Sequence, residues 1–176
     1  LGDVYKRQEN DSVLYVVTAG SGFHKLILEK QAGTIRFKSQ KSYHFFHGQR
    51  EITMFYPMLP EGDSILWLGS REKGLVRFDK RTEEYKVISL KEMLHKSVDD
   101  VLSLYRTKEG LLYVGTTSGL VCLNSNGKQM KATYIGREQG LLNDMIHGVL
   151  EDENGLLWLG TNRGLIKYLS LIHISE

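Results

Sequence analysis

The polar side chains of this chain show no arrangement that is typical of an enzyme. Asp99 and Asp100 are adjacent in an expected strand, so their carboxyl groups face opposite ways and cannot form the pair that cleaves glycosidic bonds. The six histidines follow no metal-ligand spacing, and no nucleophile elbow, phosphate loop or dinucleotide fingerprint is present. The sequence therefore predicts no catalytic residue, no metal site and no cofactor.

The same polar residues are suited to binding a ligand, because they fall in two sets of loops. The first set leads into the innermost strands of a repeat and contains His47, Arg50, Asp99, Asp100, Asn143, Asp144 and His147. The second set follows the aromatic strands and contains Arg71, Asn162 and Arg163. Such groups hydrogen-bond sugar hydroxyls, and arginine can hold a uronate carboxylate through two parallel bonds. Each residue could instead cap a loop or be solvated.

Four copies of one sequence pattern supply the elements that position these loops. The copies read LYVVT, LWLGS, LYVGT and LWLGT, and they begin at residues 14, 66, 112 and 157. Their aromatic residues are Tyr15, Trp67, Tyr113 and Trp158, at intervals of 52, 46 and 45 residues. A period in the mid-forties is typical of a four-stranded β-propeller blade.

Each position of the repeat has a structural explanation. The aromatic ring is expected to fill the gap between neighbouring twisted sheets. A first glycine allows close backbone approach, and a second makes the turn into the next strand. These two sets are Gly69, Gly115 and Gly160, and then Gly74, Gly119 and Gly164. The aromatic residues could instead stack on sugars, but a residue that recurs once per blade is usually structural.

Alternating apolar residues on either side of each copy complete the blade. Its order is an innermost strand, a turn, the aromatic strand, the Gly-Leu strand and an outer strand. The sequence thus predicts an all-β fold of four-stranded antiparallel β-propeller blades. Two blades are complete, at about 50–90 and 97–136, and two are partial, at about 9–40 and 143–169. The innermost strand of the first complete blade is expected from Arg50 to Met58.

The two ends of the chain do not continue this repeat. Residues 1–8 read LGDVYKRQ and residues 170–176 read SLIHISE, and both resemble translated adapter sequence. We therefore expect 9–169 to be the propeller fragment and the ends to be non-native. A genuine terminal strand is the alternative for the apolar C-terminal end.

Composition limits the partners of this chain. Hydrophobic residues make up 41% and charged residues 25%, as in globular proteins, and the net charge is +2 without a basic stripe. Nucleic acid is therefore not an expected partner. The sequence contains no apolar run long enough to span a membrane. The single cysteine, Cys122, lies in an apolar alternation and is expected to be a small buried residue.

Residues 152–168, DENGLLWLGTNRGLIKY, resemble the two-component regulator propeller repeat. That repeat combines Leu-Trp-Leu-Gly-Thr with a following Gly-Leu and a basic-aromatic ending, and Gly140 to Asn143 resemble its lead-in. The copy at 66–79 has Ser70 for Thr, the copy at 112–124 has Tyr113 for Trp, and the copy at 14–27 is divergent. The resemblance extends over residues 9–169.

The resemblance implies a periplasmic sensor region of a membrane receptor in a hybrid two-component system, as in Bacteroidetes. Such a segment would respond to an oligosaccharide and regulate transcription through a histidine kinase that is absent from this chain. Its partners would be the ligand, the remaining blades, the membrane-anchored kinase and, through the parent protein, a second copy. The fragment itself would not be an enzyme. Two alternatives remain: a propeller polysaccharide lyase or glycosidase, and a propeller scaffold coupled to another output domain.

Overall fold

The computed structural model describes residues 4–10, 12–71, 73–125 and 129–168. It consists of antiparallel sheets that follow one another along the chain, as an all-β propeller requires. The chain divides into two compact units, Leu1–Ile88 and Ser89–Glu176. The predicted fold class is therefore confirmed. The predicted non-native segment 170–176 lies outside the described residues.

The first unit contains two four-stranded sheets and a small hairpin between them. The first sheet is β1 (Val4–Asn10), β2 (Val13–Thr18), β3 (Gly22–Gln31) and β4 (Thr34–Tyr43). The hairpin is β5 (Phe45–His47) and β6 (Arg50–Ile52). The second sheet is β7 (Phe55–Glu61), β8 (Ile65–Ser70), β9 (Leu75–Asp79) and β10 (Tyr85–Ile88).

The first sheet gains a strand that the sequence assigned to a non-native end. Strand β1 pairs with β2 from Val4↔Thr18 to Asn10↔Val13. A backbone ladder needs only an extended segment beside an open edge, whatever the origin of that segment. The pairing therefore gives this sheet four strands where the sequence predicted a partial blade, and the non-native origin of residues 1–8 stays a prediction.

The expected innermost strand from Arg50 to Met58 is wrong in its first part. Arg50–Ile52 forms β6, which pairs with β5 across a two-residue turn, and the innermost strand begins only at Phe55. Gly48 adopts a φ of 62° in this turn, a conformation that glycine reaches without steric cost. The hairpin therefore inserts between two blades without belonging to either.

The second unit contains a four-stranded and a three-stranded sheet. A short helix, α1 (Leu90–Leu94), precedes β11 (Val101–Arg106), β12 (Leu112–Thr116), β13 (Gly119–Asn124) and β14 (Lys131–Ile135). A 3₁₀ turn at Arg137–Gln139 leads to the last sheet, β15 (Ile146–Glu151), β16 (Leu157–Thr161) and β17 (Gly164–Tyr168). Among the described residues, no helix has the length and apolar character needed to cross a bilayer.

Each unit has a core between its two sheets. In the first unit an aromatic cluster forms around Phe23, and in the second the core includes Tyr113 and the buried thiol of Cys122. Burial raises the pKa of the Cys122 thiol, as expected of a small core residue. Tyr15 and Tyr113, the aromatic residues of two repeats, thus lie in the cores between neighbouring sheets.

Backbone hydrogen bonds of one kind join the sheets within each unit, and we call them the inter-sheet clasp. Gly22 N donates to Thr53 O at 2.9 Å, and Gly119 N donates to Asp144 O at 2.6 Å. Gly22 and Gly119 are equivalent in the repeat, and both acceptors lie two residues before the next sheet. Both glycines have positive φ, 86° and 128°, which directs their N–H groups out of the turn.

The tryptophans are each paired with a carboxylate six residues earlier. Trp67 Nε1 donates to Glu61 Oε2 at 2.6 Å, and Trp158 Nε1 donates to Asp152 Oδ2 at 2.9 Å. In the repeat that has Tyr113, the equivalent residue is the uncharged Thr107, whose hydroxyl accepts from Leu111 N at 3.1 Å. Each indole N–H thus has a carboxylate acceptor from the turn of its own repeat.

This pairing predicts a pH dependence in the last sheet. The hydrogen bond from Trp158, and then that from the Leu156 N–H, lower the pKa of Asp152 from its ordinary value of 3.8. The resulting stabilisation is complete above the unfolded pKa and is lost as the pH falls through the lower folded pKa. Asp152→Asn keeps an acceptor oxygen but has no charge to titrate. We expect its stability to fall less steeply than that of the parent chain below about pH 4.

In a Trp67→Phe background, Trp158 fluorescence during urea unfolding at several pH values measures this difference. Glu153 is an exposed acidic residue in the same turn. The variant Glu153→Gln is therefore the matched control and should leave the acid dependence of stability unchanged. Parallel pH profiles of the parent chain and Asp152→Asn would contradict the prediction.

Candidate functional site

Two of the predicted binding residues line one cleft in the first unit, which we call the arginine cleft. It has a volume of about 250 Å³ and lies between the β6–β7 segment and the turn that joins β8 to β9. Its lining residues are Arg50, Glu51, Ile52, Thr53, Met54, Arg71 and Lys73. Arg50 and Arg71, which are 21 positions apart in sequence, thus line the same cleft, and their role as ligand contacts stays a prediction.

Backbone bonds fix both walls of the arginine cleft. Arg71 N donates to Met54 O at 3.0 Å, which joins the β8–β9 turn to the segment before β7. Ser70 closes the turn, because its N and Oγ both donate to Gly74 O, at 2.9 and 3.0 Å. The positions of the two walls therefore do not depend on the side chains that face the cleft.

Charged side chains of both signs line the arginine cleft. Among the described residues, Arg50, Arg71 and Lys73 contribute three cations and Glu51 one carboxylate. Oε1 of Glu51 lies 2.5 Å from Nδ1 of His44. Arg71 Nη1 donates to the Tyr56 hydroxyl at 3.3 Å, and its guanidinium carbon lies 5.7 Å from the centroid of the Tyr56 ring.

A second cleft lies in the second unit, and we call it the tyrosine cleft. Its volume is about 210 Å³, and it is lined by Lys96, Tyr134, Arg137, Glu138, Gln139 and Asp144. Asp144, a predicted binding residue, accepts from Arg137 Nε at 2.8 Å. Burial raises the pKa of Tyr134, and the charges of Asp144 and Glu138 raise it further. The two cations of this cleft are thus balanced by two carboxylates.

Tyr134 has contacts within the chain at both its hydroxyl and its ring. Its hydroxyl donates to Ser118 O at 2.8 Å, and Lys96 Nζ lies 4.8 Å from its ring centroid. The cation therefore covers the ring, which would otherwise be available to stack on a sugar.

Several other predicted binding residues take part in local structure. The Asp99 carboxylate accepts from Ser89 Oγ and Lys91 N, both at 2.9 Å, and so holds the start of α1. Asn143 is buried and its Oδ1 accepts from Met145 N at 3.1 Å. The backbone oxygen of Asp100 accepts from Thr117 N at 3.1 Å. These contacts match the loop-capping alternative more closely than ligand binding.

The remaining predicted residues lie outside both clefts. His47 pairs with Arg50 across the β5–β6 hairpin but does not line the arginine cleft. His147 is exposed on β15, and Asn162 and Arg163 are exposed in the β16–β17 turn. The role of the ten residues as ligand contacts stays a prediction for each.

Sequence reasoning did not place Lys96, Tyr134 and Arg137 at a site. They come from the segment after α1, from the outer strand β14 and from the 3₁₀ turn that follows it. One signal was available for Arg137: Gly136 and Gly140 flank the short polar stretch that forms the turn. The described residues include no group of three or more histidines, cysteines or carboxylates arranged to hold a metal ion.

Known proteins with similar sequences contain the repeat that the sequence predicts. The family described as "Two component regulator propeller" matches residues 140–163. The chain is 26% identical over 179 residues to "Histidine kinase P4" of Formosa agariphila, a match that covers 93% of this chain and 12% of the kinase. The predicted resemblance to the regulator propeller repeat is confirmed.

Solved structures share the fold. The extracellular domain of a putative hybrid two component system from B. thetaiotaomicron superposes with a TM-score of 0.69 at 20% identity, over 96% of this chain and 22% of that chain. PorZ, an essential surface component of the type-IX secretion system of Porphyromonas gingivalis, gives 0.63 at 16% identity, over 94% and 24%. The chain thus spans about an eighth of the kinase and less than a quarter of each solved chain.

Proposed function

Because the chain carries the two-component regulator propeller repeat, we propose that it is a segment of the sensor region of a two-component receptor. The observation that carries this proposal is the family match over residues 140–163. The similarity to a histidine kinase and the fold shared with the extracellular domain of a hybrid two component system support it. In this proposal the segment binds and does not catalyse, and the kinase of the parent protein supplies the enzymatic activity.

The ligand in this proposal is an oligosaccharide, and the sensor region lies in the periplasm. Binding to the complete sensor would change the activity of a membrane-anchored kinase, and the kinase would then regulate transcription. In this proposal the segment itself does not contact nucleic acid. The parent protein would act as a dimer. The arginine cleft supports a ligand-binding role, because it groups Arg50 and Arg71 on two walls that backbone bonds hold in place.

A scaffold function is the second candidate. It is favoured by the fold shared with PorZ, which is a surface component of a secretion system. Fold alone does not distinguish a sensor from a scaffold, since function depends on the site and on the attached domains.

The gene that encodes this chain provides the test. We expect the reading frame to continue into a transmembrane helix and a kinase domain with a phosphoacceptor histidine. A stop codon soon after the propeller, or an output domain of another class, would contradict the receptor proposal. For the ligand, calorimetric titration of the complete sensor region with a panel of oligosaccharides should find at least one that binds.

A further inference from the structure

We propose that the tyrosine cleft binds two neighbouring hydroxyl groups of an uncharged sugar residue. This inference rests on the proposed sensor function and names the chemistry of a ligand site. It is carried by donors and acceptors without partners in one cleft of about 210 Å³, which is lined by equal numbers of cations and carboxylates. All of the lining residues belong to the part of the second unit that the structure describes.

The walls of the tyrosine cleft are fixed by contacts within the chain. Gly119 N donates to Asp144 O at 2.6 Å, and Gly136 N donates to Gln139 Oε1 at 2.9 Å. The Tyr134 ring packs directly on the backbone of both glycines. A Cβ atom added to Gly119 would lie 2.7 Å from Cε2 of this ring, and one added to Gly136 would lie 2.6 Å from Cε1. Walls that are already ordered lower the entropy cost of binding a ligand.

Both donors and acceptors remain available in the cleft. Arg137 uses Nε for its bond to Asp144, and Gln139 uses Oε1 for its bond from Gly136 N. Within the described part of the chain, the Nη groups of Arg137, Nε2 of Gln139 and the Glu138 carboxylate make no hydrogen bond. These groups belong to the three residues of the 3₁₀ turn, and all three line the cleft. The cleft therefore offers an acceptor close to several donors.

A pair of hydroxyl groups matches this arrangement. A hydroxyl donates one hydrogen bond and accepts two, so it can accept from an Arg137 Nη group while it donates to Glu138. Neighbouring hydroxyls of a sugar ring repeat this chemistry at a short, fixed spacing. Their bonds to the ionised groups of the cleft would be stronger than bonds between neutral partners.

The charges of the cleft favour an uncharged ligand. Lys96 and Arg137 contribute two cations, and Glu138 and Asp144 contribute two carboxylates. An acidic ligand group would be repelled by the carboxylates and a basic group by the cations, so each would lose part of what it gains. An uncharged sugar avoids both costs.

Lys96 and the size of the cleft determine how the sugar lies. Lys96 Nζ lies 4.8 Å from the centroid of the Tyr134 ring and covers this face, so the sugar is held through its hydroxyls and does not stack there. Sites that enclose a whole small-molecule ligand have volumes of roughly 300–1,000 Å³. The tyrosine cleft, at about 210 Å³, thus suits one sugar residue of a longer saccharide.

The test uses the 176-residue chain immobilised at low density on a biosensor surface. The neutral probes are the trisaccharides of galactose, mannose and xylose, and the acidic probe is trigalacturonate. We expect at least one neutral trisaccharide to bind, and its per-O-methylated form, which has no hydroxyl donor, to bind at least about tenfold more weakly. Binding of the neutral probe should change less than about twofold between about 50 and 500 mM NaCl.

Variants assign the binding to the cleft. Arg137→Gln and Glu138→Ala should each weaken binding of the neutral trisaccharide about tenfold, because each removes a charged hydrogen-bond partner. Lys131→Gln removes an exposed cation of β14, and Glu153→Ala removes an exposed carboxylate of the turn before β16. Neither residue lines the cleft, so these two controls should leave binding unchanged. Circular dichroism of each variant establishes that it is folded.

A double variant tests the role of the charge balance. Glu138→Gln combined with Asp144→Asn leaves Lys96 and Arg137 without carboxylates in the cleft and keeps the backbone bond from Gly119 N to residue 144. We expect this variant to bind trigalacturonate at least about tenfold more tightly than the parent chain does, and more weakly as NaCl rises. A purely structural role of the two carboxylates would produce no such gain.

The outcomes separate this inference from the sensor proposal. Neutral binding that neither Arg137→Gln nor Glu138→Ala weakens would overturn the assignment to this cleft and leave an oligosaccharide sensor intact. Tighter binding of trigalacturonate than of every neutral probe by the parent chain would overturn the preference for an uncharged sugar, again without affecting the sensor. Absence of binding of any probe would overturn the inference, whereas the reading frame of the gene tests the receptor proposal separately.

Discussion

Replacing Phe23 by alanine is expected to destabilise the first unit by about 3–5 kcal/mol, the range for truncating a buried aromatic residue. Phe23 is fully buried, and its ring centroid lies 5.1–5.7 Å from those of Tyr15, Tyr43, Phe45 and Phe78. These neighbours come from both sheets and from the β5–β6 hairpin, so they cannot close the cavity without moving a sheet. Phe23→Ala therefore removes the centre of the core.

Phe37→Ala is the matched control for this substitution. Phe37 lies on β4 of the same sheet and is 61% exposed, so its loss should change the free energy of unfolding by less than about 1 kcal/mol. The chain has two tryptophans, and Trp67 lies in the first unit and Trp158 in the second. In a Trp158→Phe background, urea unfolding followed by Trp67 fluorescence reports the first unit. Equal losses for the two substitutions would contradict the packing described for Phe23.

Gly115→Ala is expected to destabilise the second unit by about 2–4 kcal/mol, from overpacking and a lost hydrogen bond. A Cβ atom on Gly115 would lie 2.5 Å from the Ile146 carbonyl oxygen and 2.9 Å from Ile146 Cγ2, which belong to the next sheet. It would also collide with Ser103 Oγ, which donates to Ile146 O at 3.1 Å. Two sheets would have to separate to admit one methyl group.

Gly160→Ala makes the same change at the equivalent position of the last sheet. There the nearest atom to an added Cβ would be 3.8 Å away, which is ordinary van der Waals contact. Alanine should thus be neutral or stabilise by up to about 1 kcal/mol, because it restricts the unfolded chain. Trp158 fluorescence in a Trp67→Phe background measures both variants. A large loss at Gly160, or none at Gly115, would show that close approach of the next sheet does not explain this glycine.

The blades could be predicted from the sequence because each one repeats the same local chemistry. The alternation, the aromatic residue and the turn glycines recur at a fixed period, and each is explained by contacts within a sheet or to the next one. The small elements between sheets do not recur. The β5–β6 hairpin and α1 were not predicted, although each has a local signal. Gly48 lies in the two-residue turn of the hairpin, and Ser89 precedes Glu92 of α1 by three residues.

The candidate site was predictable only in part. Arg50 and Arg71 were recognised as loop residues, but their proximity depends on the bond from Arg71 N to Met54 O and on the hairpin that carries Arg50. A bond between distant segments leaves no pattern in a single sequence. The bonds from Ser89 Oγ and Lys91 N to the Asp99 carboxylate, at the start of α1, likewise could not be predicted from the sequence.

The inter-sheet clasp has a consequence for how such repeats can diverge in evolution. Its acceptors, Thr53 and Asp144, occupy equivalent positions, and each also lines the cleft of its own unit. The clasp uses only their backbone oxygens, so the side chains can be exchanged by mutation without breaking the junction. One blade can thereby present an uncharged hydroxyl and another a carboxylate on the same framework. New ligand preferences could arise at these positions at little cost to folding.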